Sequence, residues 1–198
     1  YDGYKTIPFI PDSATIHSLI FEKDNSLLVT TSKGLYRYKE GEFRKILDFR
    51  FNSQRNFIAD AVGDIWIGSD YGILRITAKS IFCLNPDGYF EIADNGSVKN
   101  ILKLETGNDY HLNSVKEIKF PVYNLTISEQ QELWMTIGQQ DKNLGSIKLN
   151  ELKGASVKWK FLKIPGIGTG SVSGICEANN SVYVTSSDIN IMLARYLV

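Results

Sequence analysis

The sequence predicts an all-β fold, a β-propeller built of about four to five four-stranded blades or a part of a larger propeller. Three observations carry that reading. A strand–turn–strand unit, clearest at residues 64–76 (DIWIGSDYGILRI), recurs along the chain. Laying Gly34 on Gly72 gives an offset of 38 that also puts Leu28 on Trp66, Thr30 on Gly68 and Leu35 on Ile73. No comparable stretch has helical periodicity, and the best helix candidate, residues 97–105, reads almost equally well as a strand. A blade hides its faces only against neighbouring blades, so units at this period are expected to stack about an axis.

The first unit is expected over residues 16–49. Residues 16–22 and 27–31 read as strands around the turn formers Asp24 and Asn25. Ser32-Lys33-Gly34 turns into 35–39, where Leu35 and Arg37 alternate with Tyr36 and Tyr38. Glu40-Gly41 turns again into 42–49.

The second unit, residues 57–84, is the most complete. Ile65, Trp66 and Ile67 supply β-branched and aromatic bulk. Gly68 lets the backbone pass close to a neighbour, and Gly72 suits a turn that needs a positive φ. Residues 85–122 fit either an insertion or a degenerate blade, because no aromatic-plus-Gly strand follows near residue 104. The third unit, 123–164, has a longer turn at 139–144 and an outer strand at 159–164. The fourth, 172–198, ends after a third strand. Residues 1–10 have the look of the missing outer strand, so the termini are expected to share a blade in one propeller domain over 1–198, or else the chain was cut from a larger propeller.

Composition narrows the function classes. Lys plus Arg equals Asp plus Glu, 22 of each, which argues against a nucleic-acid binder driven by phosphate neutralisation. No apolar run approaches the ~20 residues of a membrane-spanning helix. Cys83 and Cys176 are expected as two buried free thiols rather than a disulfide. Two histidines and no ligand spacing point to no metal site, and no cofactor motif is present. No Gly-x-Ser-x-Gly, P-loop or His-Glu-x-x-His occurs, so no enzyme is expected. The carboxylate pairs Asp60/Asp64 and Glu129/Glu132 fall at strand ends and turns, where charge is expected to be simply solvated.

The pattern Leu-Trp-Ile/Met-Gly/Thr, then a short turn and Gly-Leu/Ile-x-Arg, lies in residues 57–77, less fully in 16–39, and partly in 123–149 and 172–186. In it the chain resembles the two-component-regulator propeller repeat of periplasmic sensor domains in Bacteroidetes-type hybrid two-component systems. The resemblance covers about half the chain. Leu28 stands where the pattern has Trp, Tyr183 does so in the fourth copy, and that copy lacks the turn Gly. The resemblance implies a periplasmic or otherwise extracytoplasmic sensor part that recognises a carbohydrate. It also implies an oligosaccharide ligand and a homodimer or adjoining propeller domain as partners. The competing expectation is a non-enzymatic scaffold propeller of a cell-envelope or secretion assembly.

Propeller topology puts the turn between second and third strands on the same rim as the connector between blades. That groups His17, Lys33, Arg55, Asp70 and Tyr71 as candidate ligand contacts. The plain alternative for each is a solvated loop side chain, and for His17 a satisfied structural histidine. Arg55 is the favoured contact, because the connector Asn52-Ser53-Gln54-Arg55-Asn56 is dense in groups that hydrogen-bond a polyol or carboxylate. Trp66 and Trp134 are expected to pack one blade on another rather than to stack on a sugar. Trp159, in an outer strand, has more chance of exposure.

Overall fold

The computed structural model describes residues 14–49, 51, 56–93, 97–100, 110–111, 115–116, 119–139, 142–153, 157–165, 172–186 and 193–197. The expected strands at 1–10, the helix-or-strand residues 101–105 and Arg55 lie outside them. The chain is all-β and consists of antiparallel meanders. It divides into two compact units, Tyr1–Gln54 and Arg55–Val198.

The first unit is a four-stranded sheet in sequence order: β1 (Ile16–Phe21), β2 (Leu27–Thr31), β3 (Gly34–Lys39) and β4 (Glu42–Leu47). Its hairpins form where the turn residues allow. Gly34 has φ +145°, and Asn25 and Glu40 also take positive φ in their turns. Leu28, Leu35, Leu47 and the following Phe49 and Phe51 are buried.

The second unit opens with a seven-stranded sheet. Its strands are β5 (Phe57–Ala59), β6 (Ile65–Ser69), β7 (Gly72–Ile76), β8 (Ile81–Asn85), β9 (Gly88–Ile92), β10 (Ser97–Asn100) and β11 (Tyr110–His111). The stretch left open between an insertion and a degenerate blade thus contributes three strands that continue this sheet. The reason lies in β9: Tyr89, Phe90 and Ile92 are buried against β8, which is covered on both sides rather than left as an edge. Residues 97–100 settle as strand because Val98 pairs with Ile92 on one side and Tyr110 on the other.

A four-stranded sheet follows, β12 (Val122–Ile127), β13 (Glu132–Gln139), β14 (Lys142–Lys148) and β15 (Lys160–Leu162), with a short 3-10 helix at Leu149–Lys153. β13 and β14 run on to a Gln139–Lys142 pair, past an irregularity after Thr136, so strand occupies most of what the sequence suggests is a longer turn. The last sheet has three described strands, β16 (Val172–Ala178), β17 (Ser181–Ser186) and β18 (Leu193–Leu197). Asn179 and Asn180, both near φ +50°, make its two-residue turn.

Two apolar clusters join the sheets of the second unit. Trp66, Ile73, Leu84 and Tyr89 meet Val122, Leu125, Leu133, Met135, Ile137 and Ile147. Trp134, Leu144 and Ile164 meet Val172, Val182 and Val184. In each case the tryptophan of one sheet packs on the alternate face of the next. Gly68 has the close neighbour expected of it, because a Cβ there would run into the Val122 carbonyl.

One sequence expectation fails on burial. Both cysteines are free, but only Cys83 is buried; Cys176 is exposed. Cys176 pairs with Tyr183 on the face of β16–β18 that lies opposite to Val182 and Val184.

Candidate functional site

The predicted contacts rest on two hairpin turns of the same construction. In the second unit, Ser69 pairs with Gly72, leaving Asp70 and Tyr71 as the loop. The Ser69 hydroxyl donates to the Gly72 carbonyl at 2.9 Å and accepts from the Tyr71 amide at 3.2 Å. In the first unit Thr31 does the same work for Ser32-Lys33: its hydroxyl donates to Gly34 O at 3.0 Å and accepts from Lys33 N at 3.0 Å. These hydroxyl-locked turns present their two loop residues in a fixed frame.

Each turn is tied to a connector at its own end of its sheet. Thr15 and Ser32 exchange two hydrogen bonds, Ser32 N to Thr15 O at 2.9 Å and Thr15 N to Ser32 Oγ at 3.2 Å. His17, at the register shift of β1, therefore shares an end of the sheet with Lys33. Its Nε2 is buried without a hydrogen-bond partner among the described residues, where a satisfied histidine was the plain expectation. In the second unit Phe120 N donates to Asp70 O at 3.1 Å. The Tyr71 carbonyl accepts from Asn85 Nδ2 at 3.2 Å and from Cys83 Sγ at 3.6 Å. Burial pushes the Cys83 thiol up to about 12, so it stays a neutral donor. The structure thus pairs Asp70 with Tyr71 on one turn and His17 with Lys33 at one sheet end, each pair within its own unit.

The opposite ends of the sheets, about 20 Å away along a six-residue rise, hold the charged groups. Arg75 donates from Nε and Nη2 to Asp64 Oδ2, at 2.9 and 2.5 Å, and from Nη1 to Tyr89 OH at 3.1 Å. Its guanidinium lies 5.3 Å from the Trp66 ring centre and 5.9 Å from that of Phe82. Burial disfavours the Arg75 charge, yet the hydrogen bonds to Asp64 and Tyr89 outweigh it and raise its pKa. Asp60 accepts from Trp66 Nε1 at 2.9 Å through one oxygen and from the amides of Val62 and Asp64 through the other. Glu132 accepts from the Ser146 hydroxyl at 2.6 Å and is buried.

The expectation that these carboxylates are simply solvated is therefore corrected for Asp60, Asp64 and Glu132. Strand pairing brings a donor opposite each of them, and burial makes an unmet carboxylate costly. Arg37 repeats the arrangement in the first unit, donating from Nε and Nη2 to Glu22 at 2.6 and 2.8 Å. Arg195 repeats it in the last sheet, with Nε 3.1 Å from Ser181 Oγ and its guanidinium 6.0 Å from the Tyr183 ring centre. Sequence reading did not single out these pairs, although the spacing of Arg37 and Arg75 was there to be used.

A second missed set lies along the first strands of the sheets of the second unit. Asn56 donates from Nδ2 to Leu125 O at 2.8 Å and accepts from Leu125 N at 3.0 Å. Asn124 Nδ2 donates to Ser173 O at 3.3 Å. Each asparagine thus clips the start of one sheet to the first strand of the next. Trp159 is half-buried, stacked at 5.6 Å on Phe161 and edge-on to Phe120 at 5.3 Å, so it belongs to the core margin. Among the described residues no cluster of three or more His, Cys, Asp or Glu side chains has metal-binding geometry. No helix of the described residues is long and apolar enough to cross a membrane.

No protein-family model matches the sequence, and no curated protein matches it. Solved structures do match. The extracellular domain of BT4673 from B. thetaiotaomicron, a protein assigned to a hybrid two-component system, is 14% identical with a TM-score of 0.55 over 95% of this chain and 21% of its own. That of BT3049 from the same organism, also assigned to a hybrid two-component system, is 12% identical with a TM-score of 0.52 over 92% of this chain and 22% of its own. The chain therefore spans about a fifth of the length of these structures and shares the fold of that part.

Proposed function

We propose that this chain is an extracytoplasmic ligand-sensing propeller module, the sensor part of a two-component signalling protein, and that its ligand is a carbohydrate. The observation that supports this most is the likeness to the extracellular domains of BT4673 and BT3049, across more than nine-tenths of the chain. The antiparallel sheets are the blades in this reading, stacked through Trp66 and Trp134.

The ligand sits at the hairpin of the second unit, where the Ser69 hydroxyl holds the Asp70-Tyr71 turn in a fixed frame. At the hairpin end, Asp70 accepts sugar hydroxyls and Tyr71 supplies an aromatic surface with a polar tip. Lys33, beside His17 at the hairpin end of the first unit, is a separate candidate contact within that unit. Binding occurs without bond cleavage, and the signal passes as a shift in sheet-on-sheet packing. That packing is a good transmitter because tightly packed interfaces hold discrete arrangements.

A thermal-shift screen of the folded chain against a glycan panel tests the reading. A binding saccharide at ~100 times its Kd adds roughly 2.7 kcal/mol of stability. Asp70→Ala with Tyr71→Ala is expected to abolish that gain while leaving the unliganded melting temperature nearly unchanged. If no saccharide stabilises the chain at saturating concentration, the carbohydrate assignment is wrong.

A further inference from the structure

Three hairpins share one construction. In each, a corner residue pairs with a glycine across two loop residues: Thr31 with Gly34, Ser69 with Gly72 and Asn85 with Gly88. The corner side chain accepts from the amide of the second loop residue, Lys33, Tyr71 or Asp87, at 3.0, 3.2 and 3.0 Å. A hydroxyl is enough for that task. Thr31 and Ser69 each have one hydrogen left and donate it within their own turn, to the glycine carbonyl. Asn85 carries an amide donor instead and directs it out of its own turn. Its Nδ2 donates to the Tyr71 carbonyl at 3.2 Å.

That bond crosses from one turn to the next. β7 and β8 pair Ile73 with Leu84, so Asn85 stands beside Gly72 at the same end of the sheet. A Cβ on Gly72 would run into the Leu84 carbonyl and the Asn85 Cβ, which shows how near the two turns lie. Asn85 is 1% exposed, where an unmet polar group is costly. A serine or threonine at this corner would hold the Asp87 amide and fall short of Tyr71. The Asp70 carbonyl is held from a third segment, by Phe120 N at 3.1 Å. Pro86 and Asp87 are exposed, and Asp70 and Tyr71 are half-buried. In the first unit Asp48 takes the place of Asn85, since it follows Leu47, the partner of Leu35. A carboxylate has no donor to give the neighbouring turn, and Asp48 pairs with Lys45 instead.

We propose that Asn85 is the positioning residue of the Asp70-Tyr71 contact and joins it to the Pro86-Asp87 turn, so that the two turns form one ligand surface with Asp87 as a further acceptor of sugar hydroxyls. Asn85 is buried and acts through the backbone it holds. A surface already held in place loses less freedom on binding than two loops ordered separately, which favours affinity. The role given to Asp87 rests on the reading of Asp70 and Tyr71 as sugar contacts. The coupling of the two turns does not, so one can fail without the other.

Amide hydrogen exchange followed by NMR on the 198-residue chain tests the coupling without any saccharide. Asn85→Ser keeps an oxygen for the Asp87 amide, as Ser69 does for Tyr71, and loses the donor to the Tyr71 carbonyl. In it the Tyr71 and Phe120 amides are expected to exchange about tenfold faster, the effect of one lost hydrogen bond. The Asp87 amide, and that of Val184 in β17, should exchange as in the wild type. Asn85→Ala should release Asp87 as well. Asn85→Thr, with the residue type that Thr31 places at the same corner, stands in if the serine variant does not fold. Unchanged Tyr71 and Phe120 amides would mean that each turn holds itself, and an equal acceleration that includes Val184 would mean that Asn85 serves only global stability; either overturns the coupling. Titration with each panel saccharide that stabilises the wild-type chain reads the surface. Asp87→Ala should weaken binding about tenfold, and Asn85→Ser should add little to the loss caused by Tyr71→Ala, because both act on one contact. Wild-type affinity in Asp87→Ala overturns its place in the surface. A panel without a binder overturns the sugar reading and Asp87's role with it, and the exchange rates still decide the coupling.

Discussion

Trp66 and Trp134 are each 1% exposed in the second strand of their meanders, and each packs its indole on the sheet that follows. Their polar surroundings differ. Trp66 Nε1 donates to Asp60, and Arg75 opposite it holds Asp64 while facing the indole. Trp134 Nε1 is buried with no partner among the described residues. Ser128 occupies the place of Asp60, and its shorter hydroxyl accepts from Glu132 N at 3.1 Å instead of reaching the indole. Ser146 occupies the place of Arg75, and the cation near the ring is Lys160 from β15, 5.2 Å from its centre. Burial of the large aromatic is thus what the repeat requires, while the polar set around it can be exchanged. The exchange has a cost, because an unmet buried N–H is worth about 1–3 kcal/mol.

Substitutions that separate the two indoles sharpen this contrast. The largest effects are expected from Trp66→Ala and Trp134→Ala, each losing about 3–5 kcal/mol of unfolding free energy in chemical denaturation. Equal costs would say that packing alone matters. Replacement by Phe splits them: Trp66→Phe strands an Asp60 oxygen, whereas Trp134→Phe removes an unmet donor, so Trp66→Phe should cost more by about 1–3 kcal/mol. A larger loss at Trp134 would break the comparison.

The ion pair gives the next effect. Asp64→Ala leaves Arg75 without its carboxylate and is expected to cost about 1–3 kcal/mol, discounted from a fully buried pair because the two side chains are 26% and 15% exposed. Ser146→Ala, which takes only a neutral donor from Glu132, should cost less. Conversely, Ser128→Asp should supply Trp134 with the acceptor that Trp66 has, and raise the melting free energy by about 1 kcal/mol. Lys160 beside the ring offsets part of the added negative charge.

The smallest effect is confined to alkaline pH and to the sheet of Trp66. Burial raises the Cys83 thiol from 9.0 to about 12, so the unfolded chain releases that proton first. Stability from this group is whole below pH 9 and falls as pH rises towards 12. Cys83→Ala should flatten that fall in melts taken across the range, and an unchanged slope would assign it to Tyr89, whose pKa burial also raises.

Much of the framework is legible in the sequence. The offset that put Gly34 on Gly72 identified two turns that share one hydrogen-bonding scheme, because a two-residue hairpin constrains the residue types at its corners. Gly68 announced a close approach, and the Val122 carbonyl is what approaches. Residues 85–122 were not legible, since their strands match no copy of the pattern and are held by pairing with β8. Nor was the fate of the carboxylates: Asp60 and Asp64 are near in sequence, but Trp66 and Arg75 reach them only after strands have paired. The candidate contacts are grouped in the sequence by propeller topology alone; strand pairing keeps Asp70 beside Tyr71 on one turn and His17 near Lys33 at one sheet end.

By itself the sequence determined the class of fold, the meander of hairpins and the place of each aromatic anchor. Those follow from local physics: alternation fixes which side chains share a face, and Gly, Asn and Asp fix where the chain reverses. Only the tertiary structure decided which face of each sheet is covered, which carboxylates are engaged, and that β1 keeps Leu19 and Phe21 in water. Those depend on which strands lie side by side and which sheets stack, and one residue of register moves every side chain to the other face.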